Sequence, residues 1–154
     1  MSNTRITEAS TFGSTPAPVT PLRVPGKLRT ISQLEPSKFC DFIGEVSYHK
    51  VDHKYKNIVL VMTDYTDHPK LPPQEGDGRL TGILVTLWDE HFDTAYQLNI
   101  CVGQFLHLKN LCCKLNKNDR IELTMNGYRG KGFKQLDPIQ ILGQQDPQVA
   151  SLRR

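Results

Sequence analysis

The stretch that decides the fold is residues 82–115, GILVTLWDEHFDTAYQLNICVGQFLHLKNLCCKL. Its opening, 82–88, is apolar and rich in β-branched residues, which favours a strand. The hydrophobic period then changes, and the apolar residues of 90–99 fall on one side of a helix for which Asp89 is a plausible N-cap. A glycine ends that pattern, and 104–115 is predicted to form the next strand. The stretch therefore predicts strand, helix and strand in succession.

Further strands are predicted on both sides of this stretch. CDFIGEVSYHK (40–50) and NIVLVMT (57–63) precede it, and RIELTM (120–125) follows it after an Asn-rich turn. A short additional pairing strand is predicted at 138–142. Gly44 lies in the middle of the first strand and indicates a bend, which a strand needs when it serves both halves of a small barrel.

Three strands, one helix and two strands form the chain order of the OB-fold, a five-stranded Greek-key barrel. SH3-like barrels also have five strands, but the helix after the third strand favours the OB-fold. The fold class is therefore all-β with one short helix, and we expect residues 27–143 to form this domain. Residues 1–26 are rich in Ser, Thr and Pro, so we expect a flexible arm, and we expect 144–154 to be a C-terminal tail.

Composition permits several functions and argues against others. The chain has 154 residues, 38% of them apolar, and a formal net charge of +3, which permits a nucleic-acid partner without requiring one. It contains no apolar run of membrane-spanning length and no secretory signal, so a soluble intracellular protein is expected. The four cysteines form no matched C-x-x-C pairs, which argues against a zinc site, and we expect free thiols and no cofactor.

The densest group of reactive side chains is Trp88-Asp89-Glu90-His91. Three such polar groups could hold a metal ion or move a proton, but consecutive residues point in different directions and no second cluster accompanies them. No glycine-rich phosphate loop follows a strand. We therefore expect no enzymatic activity, and a metal-dependent nuclease is the least favoured alternative.

Single-stranded nucleic acid requires cations along a groove and flat side chains on which bases stack. The first loop and the fourth strand with its turn supply the cations, and an OB-fold places these two regions on one side of the barrel. The cations are Lys50, His53, Lys54, Lys56, His107, Lys109, Lys114 and Lys117, and the candidate stacking residues are Tyr48, Tyr55, Tyr65 and Trp88. Surface lysines are common in any protein, so nucleic-acid binding and protein binding both remain open from these residues.

Alternation along the third strand predicts where Trp88 points. Ile83, Val85 and Leu87 share one purely aliphatic face that suits the barrel interior, which leaves Trp88 on the outer face. Core packing of Trp88 at the strand end remains the alternative. An outward indole would stack on a base, and the adjacent Asp89 carboxylate would accept hydrogen bonds from base amino groups.

Four segments together resemble a known family. TISQLEPSKFCDFIGEV (30–46), VMTDYTDH (61–68), LVTLWDEHFD (84–93) and GQFLHLKNLCCKL (103–115) are similar, in this order, to the second OB domain of fission-yeast-type protection-of-telomeres proteins. The resemblance covers roughly residues 28–127. It implies a nuclear domain at the telomere that binds the G-rich single strand, helps to cap chromosome ends and controls telomerase access. It also implies another OB domain in the same full-length protein and shelterin-like partners.

The resemblance also implies contacts residue by residue. Thr63, Asp64 and Tyr65 match the end of the family's second strand, Trp88 and Asp89 match its DNA-facing third strand, and Lys114 matches a lysine in its fourth strand. The chain departs from the family in a longer first loop and in Cys112, where relatives carry a basic residue. A general single-strand binder or a protein-binding OB module is the alternative. The complete set of predicted DNA-binding residues is Tyr48, Lys50, Lys54, Tyr55, Asn57, Thr63, Asp64, Tyr65, Trp88, Asp89, His91, Lys109, Lys114 and Lys117.

Overall fold

The strands and helices follow the predicted order. A computed structural model describes residues 27–71, 82–127 and 137–152, so the expected arm at 1–26 lies outside the described residues. A short 3-10 helix, Ile31–Gln33, precedes the first strand. The remaining elements are β1 (Phe39–Asp52), β2 (Asn57–Thr63), β3 (Ile83–Trp88), α1 (Glu90–Leu98), β4 (Phe105–Leu115), β5 (Ile121–Met125), β6 (Ile139–Leu142) and α2 (Pro147–Leu152).

Five of the strands close into a barrel. β1 pairs with β2, β2 with β3, β5 with β4 and β4 with β1, all antiparallel, whereas β3 and β5 run parallel. This pairing is that of the OB-fold and confirms the predicted fold class. β6 extends the sheet by pairing antiparallel with β4, which confirms the short strand expected near the end of the domain.

The long first strand bends where the sequence predicts it. Glu45 pairs with Thr63 of β2 and also with Phe105 of β4, so β1 passes from one neighbour to the other at this point. Register shifts lie on both sides of this position, between Cys40 and Phe42 and between Val46 and Tyr48. Such irregularities increase the local bend and twist that a closed sheet needs.

The barrel interior is filled by alternate residues of each strand. Along β3, Ile83, Val85 and Leu87 are fully buried and the intervening residues are half-buried. This alternation confirms the predicted faces of β3 and places Trp88 on the outer side. Phe42 from β1 and Leu106 from β4 are likewise fully buried, so one apolar core is shared by the whole barrel.

The helix α1 packs Phe92 and Ala95 against the barrel. Asp89 occupies the N-cap position, but its φ of 55° is far from the extended conformation of a typical cap and its side chain makes no capping hydrogen bond. The predicted N-cap position of Asp89 is therefore confirmed, but its side chain does not cap the helix. The backbone N–H of Asp89 instead donates to the carbonyl of Lys56, which ties the start of α1 to the loop after β1.

The sequence did not predict helix α2 in the segment 144–154. Its Val149 is fully buried and the helix contacts β1. A six-residue helix with one buried apolar side chain is too short to show a hydrophobic period. None of the helices in the described parts of the chain is long and apolar enough to cross a membrane.

Replacement of Gly44 by alanine should destabilise the barrel. A Cβ at this position would lie 2.8 Å from the Phe42 ring and 3.0 Å from the carbonyl oxygen of Thr63. Overpacking of this kind costs about 1–3 kcal/mol in the free energy of unfolding, measured by urea denaturation. Gly143→Ala is the matched control, because a Cβ there meets no atom within 4 Å, and its effect should stay within about 0.5 kcal/mol. Equal stability of the two variants would contradict this account of the bend.

Candidate nucleic-acid interface

A continuous row of outward side chains crosses the barrel. The register pairs Lys50 of β1 with Val59 of β2, Val59 with Thr86 of β3, Thr86 with Thr124 of β5, and Thr124 with Cys112 of β4. Directly paired residues point to the same side of a sheet. Four of the five side chains are small, so the row forms a shallow floor with a lysine at one margin. We call it the first row.

A second row runs beside the first. Tyr48 pairs with Val61, Val61 with Leu84, Leu84 with Glu122, and Glu122 with Lys114. Tyr48 and Lys114 are exposed at its two margins. An aromatic ring thus stands at one margin and an ammonium group at the other, with Val61, Leu84 and the Glu122 carboxylate between them. We call the two rows, together with Trp88, the outer face.

Trp88 lies at the end of β3 on the same side as both rows. It pairs with Asn57 and is half-buried, whereas its neighbour Leu87 is fully buried in the core. Asn57 itself is largely buried at the start of β2. Next to Trp88, the carboxylates of Asp89 and Glu90 lie close against Gly127, where an added Cβ would be 2.5 Å and 2.6 Å from their oxygens. The main chain after β5 therefore supports the start of α1 beside the indole.

The tip of the loop after β1 is ordered by its own hydrogen bonds. The Asp52 carboxylate accepts from the backbone N–H of Lys54 at 3.0 Å and of Tyr55 at 3.1 Å. Both side chains are exposed, and the Lys54 ammonium lies 5.2 Å from the centroid of the Tyr55 ring. The loop therefore presents one cation and one aromatic ring as a pair.

The base of the same loop is attached to α1. The His53 ring packs edge-on against Phe92 and Tyr96, with ring centroids 5.7 Å and 5.1 Å away. The Lys56 ammonium lies 3.2 Å from the Asp93 carboxylate. His53 and Lys56 were predicted as part of a basic cluster, but their contacts hold the loop against the helix. The loop is thereby preorganised next to Trp88.

The lysines of β4 divide between two parts of the barrel. Lys114 lies on the outer face, and Lys117 is exposed in the turn that follows β4. The N–H of Lys109 donates to the carbonyl of Pro138, next to β6, on the half of β4 that pairs with β1 and β6. The structure therefore places Lys109 and Lys114 on different halves of β4. Asn110, with φ of 62°, lies between these halves, where the register between β1 and β4 shifts.

Asp64 has a structural position. Its carboxylate is buried and accepts from the N–H of Ile31 at 2.8 Å, the N–H of Thr66 at 3.0 Å and the hydroxyl of Thr66 at 2.7 Å. These bonds connect the end of β2 to the 3-10 helix before β1. Asp64 is predicted to contact DNA, but in the structure its oxygens are directed to donors within the protein.

Thr63 and Tyr65 lie at the opposite end of β2 from Asn57. Six residues of extended chain separate Thr63 from Asn57, which corresponds to about 20 Å. The Thr63 hydroxyl accepts from the N–H of Tyr65, and the exposed Tyr65 hydroxyl hydrogen-bonds to Glu45. The structure therefore does not place these two residues with Trp88.

His91 is a predicted DNA-binding residue that the structure buries. Its imidazole is buried on α1, and its Nε2 lies 3.6 Å from a carboxylate oxygen of Glu90. Burial lowers the pKa of His91, and the opposing effects of Glu90, the Asn126 backbone and Asp89 are smaller. A neutral, buried ring is unsuited to phosphate contact. No three His, Cys, Asp or Glu side chains within the described residues are grouped so that they could hold a metal ion.

Sequence reasoning missed the floor residues Val59 and Thr124. Their signal was present in the sequence, because Val59 shares its strand parity with Asn57 and Thr124 alternates with the apolar Leu123 and Met125. Recognising them required the register between β3 and β5, which joins residues almost forty positions apart. The floor is thus a product of the parallel pairing.

Comparison with known proteins places the chain among telomeric domains. A family model, POT1PC, described as the ssDNA-binding domain of telomere protection protein, matches residues 77–154, just over half of the chain. No curated protein sequence matches this chain.

Two solved structures from fission yeast are similar in fold. The Schizosaccharomyces pombe Pot1pC structure, bound to the single strand CGGTTACGGT, has a TM-score of 0.70 and 24% identity over 82% of this chain and 94% of that chain. The structure titled fission yeast Pot1 and ssDNA gives a TM-score of 0.69 and 24% identity over 82% of this chain. The match spans only 43% of that longer chain.

Replacement of Asp64 by asparagine should reduce stability and leave DNA affinity unchanged. An amide keeps the size of the side chain but loses the charge that strengthens its buried hydrogen bonds, at a cost of about 1–3 kcal/mol in the free energy of unfolding. Asp67→Asn is the control, because among the described contacts the exposed Asp67 carboxylate accepts a hydrogen bond only from the N–H of His68. Thermal melts and oligonucleotide titrations of both variants provide the test. A stable Asp64→Asn variant with weakened DNA binding would restore the DNA-contacting role.

Proposed function

The chain belongs to the family of single-stranded-DNA-binding domains of telomere protection proteins, and on this premise we propose that the outer face of its barrel binds the G-rich single strand of telomeres. The observation that carries the proposal is the half-buried Trp88 on the outer side of β3, with Lys50 and Lys114 on opposite sides of the same surface. A flat ring between two cations matches the needs of a strand that stacks its bases and carries phosphates.

The floor between the lysines suits a nucleotide chain. The half-buried Val59 and Leu84 offer apolar contact to bases and sugars, and the Thr86 hydroxyl provides one donor and two acceptor positions. Because these side chains are short, a strand on the floor would lie between Tyr48 on one margin and Lys114 on the other. Apolar contact and stacking are sequence-tolerant, so the floor contributes affinity more than base selection.

Selection between bases is assigned to Asp89. A carboxylate repels phosphate and accepts hydrogen bonds from the amino groups of guanine or cytosine. Asp89 follows Trp88 directly, so a base stacked on the indole would bring its edge near this carboxylate. The Lys54 and Tyr55 pair at the loop tip lies beyond it and can contact the next part of the strand.

The role in the cell follows from the family. We propose that the domain works in the nucleus at the telomere, within a longer protein that carries another OB domain and meets shelterin-like partners. Fission yeast Pot1 was crystallised with single-stranded DNA, and this chain corresponds to less than half of it. By covering the G-rich strand, the domain would help to cap chromosome ends and to control telomerase access. This role requires binding only, and we propose no catalytic step.

Loss of the Trp88 ring should weaken DNA binding by tenfold or more. Stacking contributes about 1–3 kcal/mol per base, and 1.4 kcal/mol is a tenfold change in affinity. The wild type, Trp88→Ala and Trp88→Phe would be titrated with a G-rich telomeric strand, its C-rich complement and their duplex. We expect preference for the G-rich strand in the wild type and partial recovery in Trp88→Phe.

Ile141→Ala serves as the control for this test, because Ile141 is also exposed but lies on β6, which pairs with the half of β4 that carries neither row. Circular dichroism would establish that each variant is folded. If Trp88→Ala binds as tightly as the wild type, stacking on the indole is refuted. If the wild type itself binds none of the three DNAs, the proposed function is wrong and a protein-binding role is favoured.

Lys114 and Lys109 should differ in their effect on salt dependence. Each phosphate contact on a single strand contributes about −0.7 to the slope of log affinity against log salt concentration. Lys114→Gln should therefore make the slope shallower by about 0.7 and weaken all sequences to a similar degree. Lys109→Gln removes the same charge from the same strand but on the side next to β6, so its slope should equal that of the wild type. The reverse result would contradict the position assigned to the interface.

A further inference from the structure

A small basic cavity lies outside the outer face, where β1 begins. Its volume is about 250 Å³, and three cationic side chains, Lys27, Arg29 and Lys38, line it together with one carboxylate, Glu35. The ring of Phe39 forms a further part of its wall. Three positive charges and one negative charge around a small space favour an anionic ligand.

The position of Phe39 connects this cavity to the outer face. Phe39 pairs with Cys112, which ends the first row on β4, so its side chain continues that row by one strand. Phe39 is 62% exposed, which is unusual for a large apolar side chain at the start of a barrel strand. The row therefore has a lysine at one end and an exposed aromatic ring at the other.

The cations around the cavity are carried by well-anchored main chain. The N–H of Asp41 donates to the carbonyl of Lys27 at 2.9 Å, and the N–H of Arg29 donates to the carbonyl of Asp41 at 3.0 Å. The carbonyl of Lys38 accepts from the N–H of Cys113 at 2.9 Å. Since each side chain starts from a fixed backbone position, binding would cost less ordering entropy than on a free loop.

The thiols in the cavity wall do not reduce its positive charge. Burial raises the pKa of Cys40 to about 12 and that of Cys113 to about 11. Both are therefore neutral at physiological pH, and Glu35 is the one carboxylate that lines the cavity within the described residues. The balance of the lining side chains remains positive.

We propose that Phe39 and this cavity form a second nucleotide subsite, which holds one further nucleotide of the single strand where it leaves the outer face past Cys112. The base stacks on the Phe39 ring and the phosphate lies among Lys27, Arg29 and Lys38. The volume is below the roughly 300–1,000 Å³ of sites for drug-sized ligands, which suits part of one nucleotide. The subsite rests on the proposed function, because it requires the strand to cross the outer face first.

The test is a length series of G-rich single strands, extended one nucleotide at a time at either end. In the wild type, affinity should rise by roughly fivefold or more at the length that reaches Phe39, because one stacked base is worth about 1–3 kcal/mol. Phe39→Ala should abolish this step and leave the affinity of shorter strands unchanged. Phe39→Tyr, which keeps the aromatic ring, should retain this rise in affinity. It provides a second test of the subsite if the alanine variant does not fold.

Two further variants complete the test. Val102→Ala, at an equally exposed apolar residue in the turn before β4, should keep the step. Lys38→Gln should make the salt slope shallower only for the longer strands. A wild type without a step, or a Phe39→Ala variant that keeps it, would overturn the subsite while the binding of short strands stands. Absence of binding at every length would instead refute the proposed function.

Discussion

The whole architecture depends on the double pairing of β1. One strand hydrogen-bonds to β4 with its first half and to β2 with its second half, and this closes the barrel. The change of partner requires a bend, and Gly44 permits it because no side chain has to fit between Phe42 and Thr63. Closure also determines where the functional groups stand. It brings Phe39, from the start of β1, and Lys50, from near its end, to opposite ends of one row of side chains.

Within this barrel, alternation decides which residues reach a ligand. Every second side chain of β3 fills the core, and the others form part of the floor that ends at Trp88. A strand has a period of two and a helix a period of 3.6, and both periods can be recognised in the sequence. The strands, the helix α1 and the outward side of Trp88 were therefore predictable. Local patterns were sufficient wherever a residue's environment depends on its own strand.

Several predicted site residues have surroundings that depend on contacts between distant parts of the chain. Asp64 is buried because it binds the N–H of Ile31, more than thirty residues earlier, and no local pattern reveals such a bond. His91 lies two residues after Asp89 in the sequence, yet its side chain is buried in the first turn of α1. Lys109 and Lys114 are five residues apart in one strand, but the two halves of this strand pair with different neighbours, and the register with β1 shifts near Asn110. The basic pocket around Phe39 combines residues 27–40 with β4, which only closure brings together.

The distribution of charge explains how a weakly basic domain can suit a polyanion. The net charge of the chain is only +3, and some of its lysines are already committed, since Lys56 pairs with Asp93 and Lys70 with Asp119. Surface pairs of this kind add little stability, but they reduce the positive field available to phosphate. On the proposed function, affinity on this surface would come largely from stacking and apolar contact, for which we propose Trp88 as the principal side chain. A surface that relies on bases more than on phosphates distinguishes single strands from duplex DNA, because the duplex carries the denser charge but keeps its bases stacked inside. The modest charge is therefore consistent with selection of single strands over duplex.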